Sequence, residues 1–406
     1  MERTLVLHFH ELWLKGGNRN FFLGKLLMAV RQSLEPLPAR ARIVHSRLLV
    51  DLPEEAVPAA VERLKRVFGV VYFAVARRVA AEREALFEAA RQEVLGRQFD
   101  SFAVRAKRGD KTFPMRSSEI ERELGRDLLE RLQAAGHPGA RVNLTSPGLT
   151  CFVEITSRSA LVYTEKLPGP GGMPANSAGR LVCLLSGGYD SAVAAYKVMK
   201  RGVHLVFAHF HGLPARPGES SAPIARELVR LLTPYQFTSK LYLVPFEPIQ
   251  RQIVTAAPER YRILLYRRMM LRIAETLARR QHALGLVTGD SFSQVASQTL
   301  HNLNAIDRAA VLPVYRPLIG DDKQEIIQAA QRLGTYAICS EPFQDCCPLF
   351  MPRAPALHAR PEELDKAEAT LDIEALVKQG VESATLEKYE FRQGEVRVPE
   401  AVGSRQ

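Results

Sequence analysis

The stretch Ser186–Ser191, which reads Ser-Gly-Gly-Tyr-Asp-Ser, constrains the fold of this chain more than any other feature. Before it, residues 181–185 form a continuous apolar run typical of a buried strand in a parallel sheet. After it, Val193, Tyr196 and Met199 follow helical spacing. A strand, a glycine-rich turn and a helix in this order direct backbone N–H groups and the helix dipole toward one point, where phosphate can bind. The stretch therefore predicts an α/β fold with an anion site; an ordinary tight strand–helix turn is the alternative.

Strand and helix patterns alternate from residue 180 onward, which predicts a parallel, doubly wound sheet with helices on both faces. The predicted strands are residues 181–185, 203–209, 241–245 and 284–288, and the predicted helices begin at residues 192, 222, 261 and 322. The tail after about residue 354 is polar and partly helical in pattern. Neither a GxxxxGK[ST] nor a GxGxxG loop is present, which argues against two common classes of nucleotide site.

Two smaller α+β units precede this region. Residues 1–58 contain two predicted strands, Thr4–His10 and Ile43–Asp51, and a helix between them, Asn20–Leu34. Residues 59–167 form a second unit that closes with a pair of strands. Residues 168–179 consist almost entirely of turn-forming residues and are predicted to be a linker before a third domain, residues 180–406.

Positive charge is concentrated in the first half of the chain. The formal net charge is +11, of which +7 falls in residues 1–175. A module that binds a polyanion such as nucleic acid is expected to be basic, although a generally arginine-rich protein would be basic too. Two segments of this half combine cations with turn residues and are interpreted as phosphate-backbone contacts; a solvated loop is the alternative for the first. Ser117 is predicted as the N-cap of the helix after the second segment. The cations of the two segments are Lys15 and Arg19, then Arg105, Lys107, Arg108, Lys111 and Arg116.

The chain has no apolar run long enough to span a membrane, and its N-terminus lacks the apolar core of a signal peptide. We therefore expect a cytoplasmic protein without membrane contact. Its five cysteines are an odd number in a large chain, which argues against a disulfide scaffold. Cys151 and Cys183 lie in apolar strand patterns and are predicted to be core residues, as is Cys339.

In an open parallel sheet, ligands bind beyond the carboxyl ends of the strands. Besides Ser186–Ser191, two predicted strand ends carry unusual residues, His209-Phe210 and the segment 288–300, which reads TGDSFSQVASQTL. Further on, residues 341–348 read EPFQDCCP.

Together these motifs closely resemble the tRNA 4-thiouridine synthetase family (ThiI). Residues 14–19, LKGGNR, resemble that family's LKGxNR signature, and residues 171–179 resemble its linker before the nucleotide loop. SGGxDS alone resembles the PP-loop of many ATP pyrophosphatases, whereas SGGYDS, GDSFSQVASQTL and EPFQDCC in order are specific. The resemblance covers nearly the whole chain. It implies a ferredoxin-like domain, a tRNA-binding THUMP domain and a PP-loop ATP pyrophosphatase domain.

The implied reaction is ATP-dependent sulfur transfer to a uridine of tRNA, expected at position 8, giving 4-thiouridine, AMP and pyrophosphate. ATP and Mg²⁺ are the implied cofactors, Asp190 is assigned a catalytic role, and no residue is assigned as a metal ligand. The residues implied in ATP binding are Leu184, Leu185, Ser186, Gly187, Gly188, Asp190, Ser191, His209, Phe210, Arg267, Gly289 and Gln298. Core packing for the two leucines and His209, and solvation for Arg267, are the alternatives.

The resemblance also assigns the sulfur carrier. Cys346 matches the family's catalytic cysteine, which would carry a persulfide. Cys347 would relay that sulfur or be a bystander. An iron–sulfur cluster involving Cys339 is a further alternative, although the usual CxxC pair is missing.

The implied partners are tRNA, a cysteine desulfurase as sulfur donor, and a second copy in a homodimer. Many family members carry a rhodanese domain that delivers sulfur, and this sequence contains none, which argues against a role in thiamine thiazole synthesis. Another PP-loop tRNA-thiolating enzyme, or a tRNA-binding protein whose PP-loop domain senses nucleotide, are the alternative functions.

Overall fold

The computed structural model describes residues 2–44, 47–156, 159–212, 220–340, 352 and 354–398. The chain separates into two compact units, Met1–Gly172 and Met173–Gln406. Among the described helices, none is both long enough and apolar enough to cross a membrane. The finer boundaries predicted from the sequence, at residues 58, 167 and 179, stay predictions.

The first unit is built on one twisted sheet. Its described strands are β1 (Glu2–His8), β2 (Arg40–Val44), β3 (Arg47–Pro53), β4 (Tyr72–Ala80), β5 (Ser101–Arg108), β6 (Arg141–Val142), β7 (Leu149–Ile155), β8 (Ser159–Tyr163) and β9 (Leu167–Pro168). Its helices are α1 (Arg19–Leu34), α2 (Val57–Leu64), α3 (Arg83–Val94) and α4 (Ser117–Ala134). The described strands follow the order β2-β3-β1-β4-β8-β7-β5-β6, with β9 also paired to β4. Strand β4 therefore connects the two predicted N-terminal domains within a single sheet.

Helix α4 shows how sequence spacing produces the core of this unit. Ile120, Leu124, Leu128 and Leu132 recur every fourth residue and are at most 1% exposed. Residues four apart lie on one face of a helix, so α4 presents an apolar stripe. That stripe packs into a cluster that also contains Phe102 of β5.

Two local predictions for this unit were wrong. The single predicted strand Ile43–Asp51 is instead β2 and β3, antiparallel strands in which Val44 pairs with Arg47. The interruption was missed because no glycine or proline marks it in the sequence. The predicted N-cap Ser117 is the first residue of α4; Arg116 takes the cap position, and its N–H donates to Glu119 Oε2 at 2.7 Å.

The second unit contains the predicted parallel sheet. Its described strands are β10 (Arg180–Leu184), β11 (His204–His211), β12 (Thr238–Pro245), β13 (Leu286–Val287), β14 (Val314–Tyr315), β15 (Thr385–Arg392) and β16 (Glu395–Arg397). Its described helices are α5 (Tyr189–Met199), α6 (Ala222–Gln236), α7 (Glu247–Ala256), α8 (Arg262–Arg280), α9 (Leu300–Asp307), α10 (Lys323–Leu333), α11 (Thr335–Cys339), α12 (Pro361–Glu368) and α13 (Ile373–Glu382). The described strands follow the order β14-β13-β10-β11-β12-β15-β16.

The first five strands of that order run parallel, which confirms the predicted sheet. The structure adds an antiparallel hairpin, β15–β16, to its β12 edge. Tyr389 and Phe391 of β15 are buried while Lys388 is exposed, a two-residue alternation typical of a strand with one covered face. The prediction that Cys339 lies in a core strand was wrong: it ends the short helix α11 and is partly exposed, because Gly334, at φ 85°, ends α10 and a new helical turn begins after it.

Candidate active site

The loop Ser186–Ser191 connects the carboxyl end of β10 to helix α5, with Gly188 at the cap position. The Ser191 hydroxyl accepts a hydrogen bond from the Ser186 N–H at 3.0 Å and donates to the Gly188 carbonyl at 3.0 Å. The Gly188 N–H donates to Ser186 Oγ at 3.2 Å. These bonds hold the loop against the first turn of α5. The first N–H groups of a helix have no intrahelical partner, so this end of α5 is suited to an anion.

Gly289 follows β13 and passes directly beneath the start of α5. A Cβ at this position would lie 2.6 Å from the Ser191 nitrogen and 2.7 Å from the Ser191 Cα. Both of those atoms belong to backbone that cannot swing aside, so only glycine fits. The structure thus gives Gly289 a packing reason, and its predicted contact with ATP stays a prediction.

Asp290 is the centre of a buried polar network at the same edge of the sheet. Its carboxylate is 4% exposed and accepts hydrogen bonds from Thr288 Oγ1 at 2.7 Å, Gln298 Nε2 at 3.1 Å and Arg316 Nε at 3.1 Å. Arg267 forms an ion pair with Asp290 Oδ1, the oxygen that also accepts from Gln298. Burial by itself would raise the pKa of Asp290, but Arg267, the Thr288 hydroxyl and Arg316 hold it well below its usual range. The carboxylate is therefore charged and fixes both arginines.

Two residues predicted to bind ATP, Arg267 and Gln298, meet at this carboxylate. The Arg267 guanidinium also donates to Ser297 Oγ at 3.0 Å, and Arg316 donates to Asp307 at 2.8 Å. Arg267 is thus a positioned cation rather than a solvated charge. Its partner Asp290 directly follows Gly289, which places Arg267 beside the loop that follows β13.

Asp190 forms the second charged pair of the site. Lys323, at the start of α10, reaches both carboxylate oxygens of Asp190, at 3.0 and 3.1 Å. The same ammonium lies 4.6 Å from the centre of the Tyr189 ring, and that ring packs against Tyr336 with their centres 5.5 Å apart. Burial alone would lower the pKa of Lys323, but hydrogen bonding and charge attraction from Asp190 raise it. Tyr189 thus has a physical role in the loop, as the aromatic support of Lys323.

Four of the residues implied in ATP binding lie at the carboxyl ends of β10 and β11 and are buried or partly buried. His209 is 0% exposed, with Nδ1 2.7 Å from the Leu185 carbonyl and Nε2 2.9 Å from Ser221 Oγ. Phe210 is packed edge-to-face on Phe246, with ring centres 5.5 Å apart. Leu185 is buried and Leu184 partly buried. His209 therefore supports the loop through Leu185, and contact of these four side chains with ATP stays a prediction.

Cys346 and Cys347 lie outside the described residues. Cys151 and Cys183 are fully buried, which confirms them as core residues, and burial raises the pKa of each thiol to about 12. Burial, reinforced by the nearby Asp190 charge, also raises the pKa of Cys339 to about 12. Cys339 is therefore a thiol rather than a reactive thiolate at neutral pH. Among the described residues no group of three potential ligands could hold a metal ion.

The first predicted RNA contact lies in a 3₁₀ segment, Glu11–Asn18, before α1. The Arg19 guanidinium stacks 3.6 Å above the centre of the Trp13 ring, and Lys15 lies 5.4 Å from the centre of the Phe22 ring. Trp13 itself is 41% exposed. Cations beside exposed aromatic rings are typical of surfaces that bind single-stranded nucleic acid.

The second predicted RNA contact extends from the end of β5, which contains Arg105, Lys107 and Arg108, into the segment that follows it. Its cations differ in role. Arg108 donates to the Phe113 and Met115 carbonyls at 3.0 and 3.1 Å, which fastens the loop, and Arg105 donates to the Leu144 carbonyl. The cations with exposed side chains are Arg105, Lys107, Lys111 and Arg116. Arg108 therefore supports the loop, and the exposed four are available to phosphate groups.

Three residues that organise this site lie in segments noticed in the sequence but were assigned no role there: Asp290, Arg316 and Lys323. Asp290 had a usable signal, since an acidic residue directly after a buried strand often has a role in a parallel sheet. Arg316 and Lys323 had none, because nothing in their local sequence shows that they meet Asp290 and Asp190.

Comparisons with known proteins agree with this architecture. A family model described as thiamine biosynthesis protein (ThiI) matches residues 176–373, a ThiI ferredoxin-like domain matches residues 4–74, and a THUMP domain matches residues 80–165. The predicted fold class, with these three kinds of domain in this order, is thereby confirmed.

Curated relatives and a solved structure extend over nearly all of the chain. A "Probable tRNA sulfurtransferase" of Thermus thermophilus is 47% identical over 379 residues, covering 93% of this chain and 92% of its own. A protein of the same name from Alkaliphilus oremlandii is 38% identical, covering 96% and 99%. The crystal structure of a 4-thiouridine synthetase–RNA complex with bound ATP superposes with a TM-score of 0.85 at 29% identity, covering 96% of this chain and 100% of that one. The chain therefore belongs to the ThiI family.

Proposed function

We propose that this chain is an ATP-dependent tRNA sulfurtransferase that converts a uridine, expected at position 8, to 4-thiouridine. One observation carries the proposal: the Ser186–Ser191 loop lies directly beside the Asp290 network at one edge of the sheet. The loop and the start of α5 supply anion-binding N–H groups, and the network supplies a fixed arginine, Arg267. The membership of the ThiI family, whose relatives are named tRNA sulfurtransferases, supports the choice of substrate.

The loop is assigned to the phosphates of ATP. The N–H groups at the start of α5 would bind the pyrophosphate portion, and Arg267, held by Asp290, would neutralise charge that develops as pyrophosphate leaves. ATP is supported as the nucleotide by the solved neighbour, which was crystallised with ATP and RNA. The other residues proposed to contact ATP are Leu184, Leu185, Gly187, His209, Phe210, Gly289 and Gln298.

The site also fits a magnesium ion. Mg²⁺ commonly binds through one or two carboxylates together with substrate phosphates. The Asp190 side chain is 28% exposed at the loop and is paired with Lys323, so it would offer a carboxylate while Lys323 turns toward phosphate. Bound Mg²⁺ would supply additional positive charge against the leaving pyrophosphate.

The proposed reaction has two displacement steps. Uracil O4 attacks the α-phosphate, a new P–O bond forms, and pyrophosphate departs with the electrons of the broken bond. The terminal sulfur of a Cys346 persulfide then attacks C4, and AMP leaves with the oxygen that was O4. This leaves a disulfide between the sulfur on C4 and Cys346. A thiolate, from Cys347 or an external thiol, attacks Cys346 Sγ, breaks that S–S bond, releases 4-thiouridine and forms a new disulfide with Cys346. A second thiol then reduces the new disulfide and restores the Cys346 thiol.

The basic first unit is proposed to bind tRNA through two groups of cations. They are Lys15 and Arg19, and the exposed Arg105, Lys107, Lys111 and Arg116. We further propose a cysteine desulfurase as the sulfur donor and a homodimer as the working form. Because the substrate is tRNA, the reaction is assigned to the cytoplasm.

The test is thiolation of unmodified tRNA by the purified full-length protein with ATP, Mg²⁺ and either sulfide or a desulfurase with cysteine. We expect 4-thiouridine and one AMP for each uridine converted. Cys346→Ser should abolish the desulfurase-dependent reaction, and Cys151→Ser, at a core cysteine, is the matched control. AMP release with another thiolated base would point to a different thiolating enzyme, and tRNA binding without AMP release would point to a nucleotide sensor; either result overturns the proposal.

A further inference from the structure

A second concave site lies at the opposite edge of the same parallel sheet. The cavity has a volume of about 810 Å³ and is lined by the amino ends of β10, β11 and β12 and by β15. The loop Ser186–Ser191 follows the carboxyl end of β10, so the two sites lie at the two ends of that strand. A cavity of this size is in the range that holds a drug-sized or nucleotide-sized molecule.

Three cationic side chains line this cavity and lie close to one another. Lys240 and Lys388 are direct cross-strand partners in β12 and β15. Like charges placed directly opposite on a sheet are unfavourable, so this pair is not explained by packing between the two strands. Arg180, the first residue of β10, lines the same wall. Glu390 is the carboxylate among the described lining residues, which leaves the charged lining at a net +2.

The three cations lie close enough to shift the pKa values of groups in the cavity lining. Burial lowers the pKa of Lys240, and the charges of Arg180 and Lys388 lower it further. Burial, with Arg180 and Lys240 nearby, lowers the pKa of His204 to about 4, so this histidine is neutral at physiological pH.

Internal hydrogen bonds hold two of the cations without neutralising them. Arg180 donates a hydrogen bond to the backbone carbonyl of Gln281 at 2.7 Å, and Lys240 donates one to the side-chain oxygen of Gln281 at 2.7 Å. The Arg180 Nε is buried without a hydrogen-bond partner among the described atoms. No ion pair of Lys388 occurs within the described part of the chain. Two cations are thus pre-positioned by a neutral residue, as in a site built for an anion.

The remaining residues that line the cavity indicate a ligand larger than a bare anion. Leu284 is 70% exposed at this cavity, and Tyr389 forms part of its wall. The volume greatly exceeds what inorganic phosphate would fill. We propose that this cavity binds a free nucleoside monophosphate, with its phosphate between Arg180, Lys240 and Lys388 and its base or sugar against Leu284. This site is independent of the function proposed above, because it uses none of the residues of the candidate active site.

The test is site-resolved acetylation of the lysines of the full-length protein, read by mass spectrometry, with AMP as the probe. AMP should slow the acetylation of Lys240 and Lys388 and leave Lys378, an exposed lysine of α13, unchanged. A titration to about 10 mM covers the range in which a ligand of millimolar affinity saturates. Because the readout belongs to individual lysines, AMP bound at the loop Ser186–Ser191 does not produce it.

Two variants locate the phosphate. Arg180→Gln should raise the AMP concentration for half-protection about tenfold or more, since a lost charge-assisted hydrogen bond has that effect. Lys388→Gln, at an exposed strand position, should weaken protection of Lys240, whereas Lys378→Gln removes the same charge without effect. Thermal denaturation of each variant verifies that it is folded.

Four results would overturn the proposal. The first is no protection of either lysine by AMP, and the second is unchanged protection in a folded Arg180→Gln protein. The third is protection by inorganic phosphate as strong as by AMP, and the fourth is protection by tRNA in the absence of AMP. Either of the last two would remove the nucleoside monophosphate as the ligand.

Discussion

The Asp290 network offers the sharpest test of how the site is held together. Asp290→Asn keeps the size of the side chain and removes its charge. The carboxylate accepts four hydrogen bonds, two of them from the guanidinium groups of Arg267 and Arg316. In the variant, an amide N–H would face at least one of these donors, and two buried cations would lose their shared partner.

The magnitude follows from those contacts. A hydrogen bond to a charged group contributes roughly 1.5–3 kcal/mol, and removing one partner of a buried ion pair costs about 3–5 kcal/mol. We therefore expect the free energy of unfolding of the second unit to fall by about 3–5 kcal/mol. Asp307→Asn is the matched control: that side chain is 39% exposed and also pairs with Arg316, so a loss below about 1 kcal/mol is expected.

Hydrogen exchange read on peptides of α8 during urea titration measures this loss, because α8 carries Arg267. Fluorescence cannot replace it, since Trp13, the one tryptophan of the chain, lies in the first unit.

The pH dependence of the free energy of unfolding gives a second readout. The folded-state pKa of Asp290 lies below its unfolded value near 3.8, so its contribution is fully present above that value and is lost as pH falls below it. The difference in the free energy of unfolding between the wild type and Asp290→Asn should therefore become smaller below about pH 4. If Asp290→Asn lowers the free energy of unfolding at pH 7 by an amount within about 1 kcal/mol of that caused by Asp307→Asn, the Asp290 network does not organise the site.

Three further predictions concern other parts of the molecule. Lys323→Gln should lower the rate of AMP formation about a hundredfold, since it removes a cation paired with Asp190 at the loop; unchanged rapid-quench kinetics would contradict this role. Gly289→Ala should destabilise the second unit by about 1–3 kcal/mol in urea titration through overlap with the α5 backbone, whereas Gly320→Ala, with open space around it, should not; equal effects would remove the packing argument. Lys111→Gln should weaken tRNA binding about uniformly across sequences and reduce the slope of log affinity against log salt by roughly one in filter-binding assays; an unchanged slope would place the phosphate contact elsewhere.

The parts of the fold that depend on local sequence were predictable. The strand before Ser186 and the helix after it each have a short-range signal. The β2–β3 hairpin was missed because its connection lacks turn-forming glycine or proline. Strand β15, which pairs with β12 and β16, was missed because its few apolar residues are interspersed with charged ones, a weak local pattern.

The candidate site was predictable only where its residues lie in a recognisable local motif. Asp190 lies in a recognisable loop, but its partner Lys323 is 133 residues away, and no periodicity connects them. Arg267 was assigned from the family resemblance, whereas its dependence on Asp290 became visible only once α8 and β13 were in place. Cys346 and Cys347 stay predictions.

Strand β4 has a consequence for how the chain can be divided. Its residues Tyr72–Ala76 pair with β1, and its residues Arg77–Ala80 pair with β8. A fragment that ends at residue 58 would keep β1 and β3 but leave the other edge of β1 without its neighbour, a row of open hydrogen-bonding groups that favours aggregation. The ferredoxin-like and THUMP regions would then be expected to share a single unfolding transition, and a soluble tRNA-binding fragment should extend at least through β9.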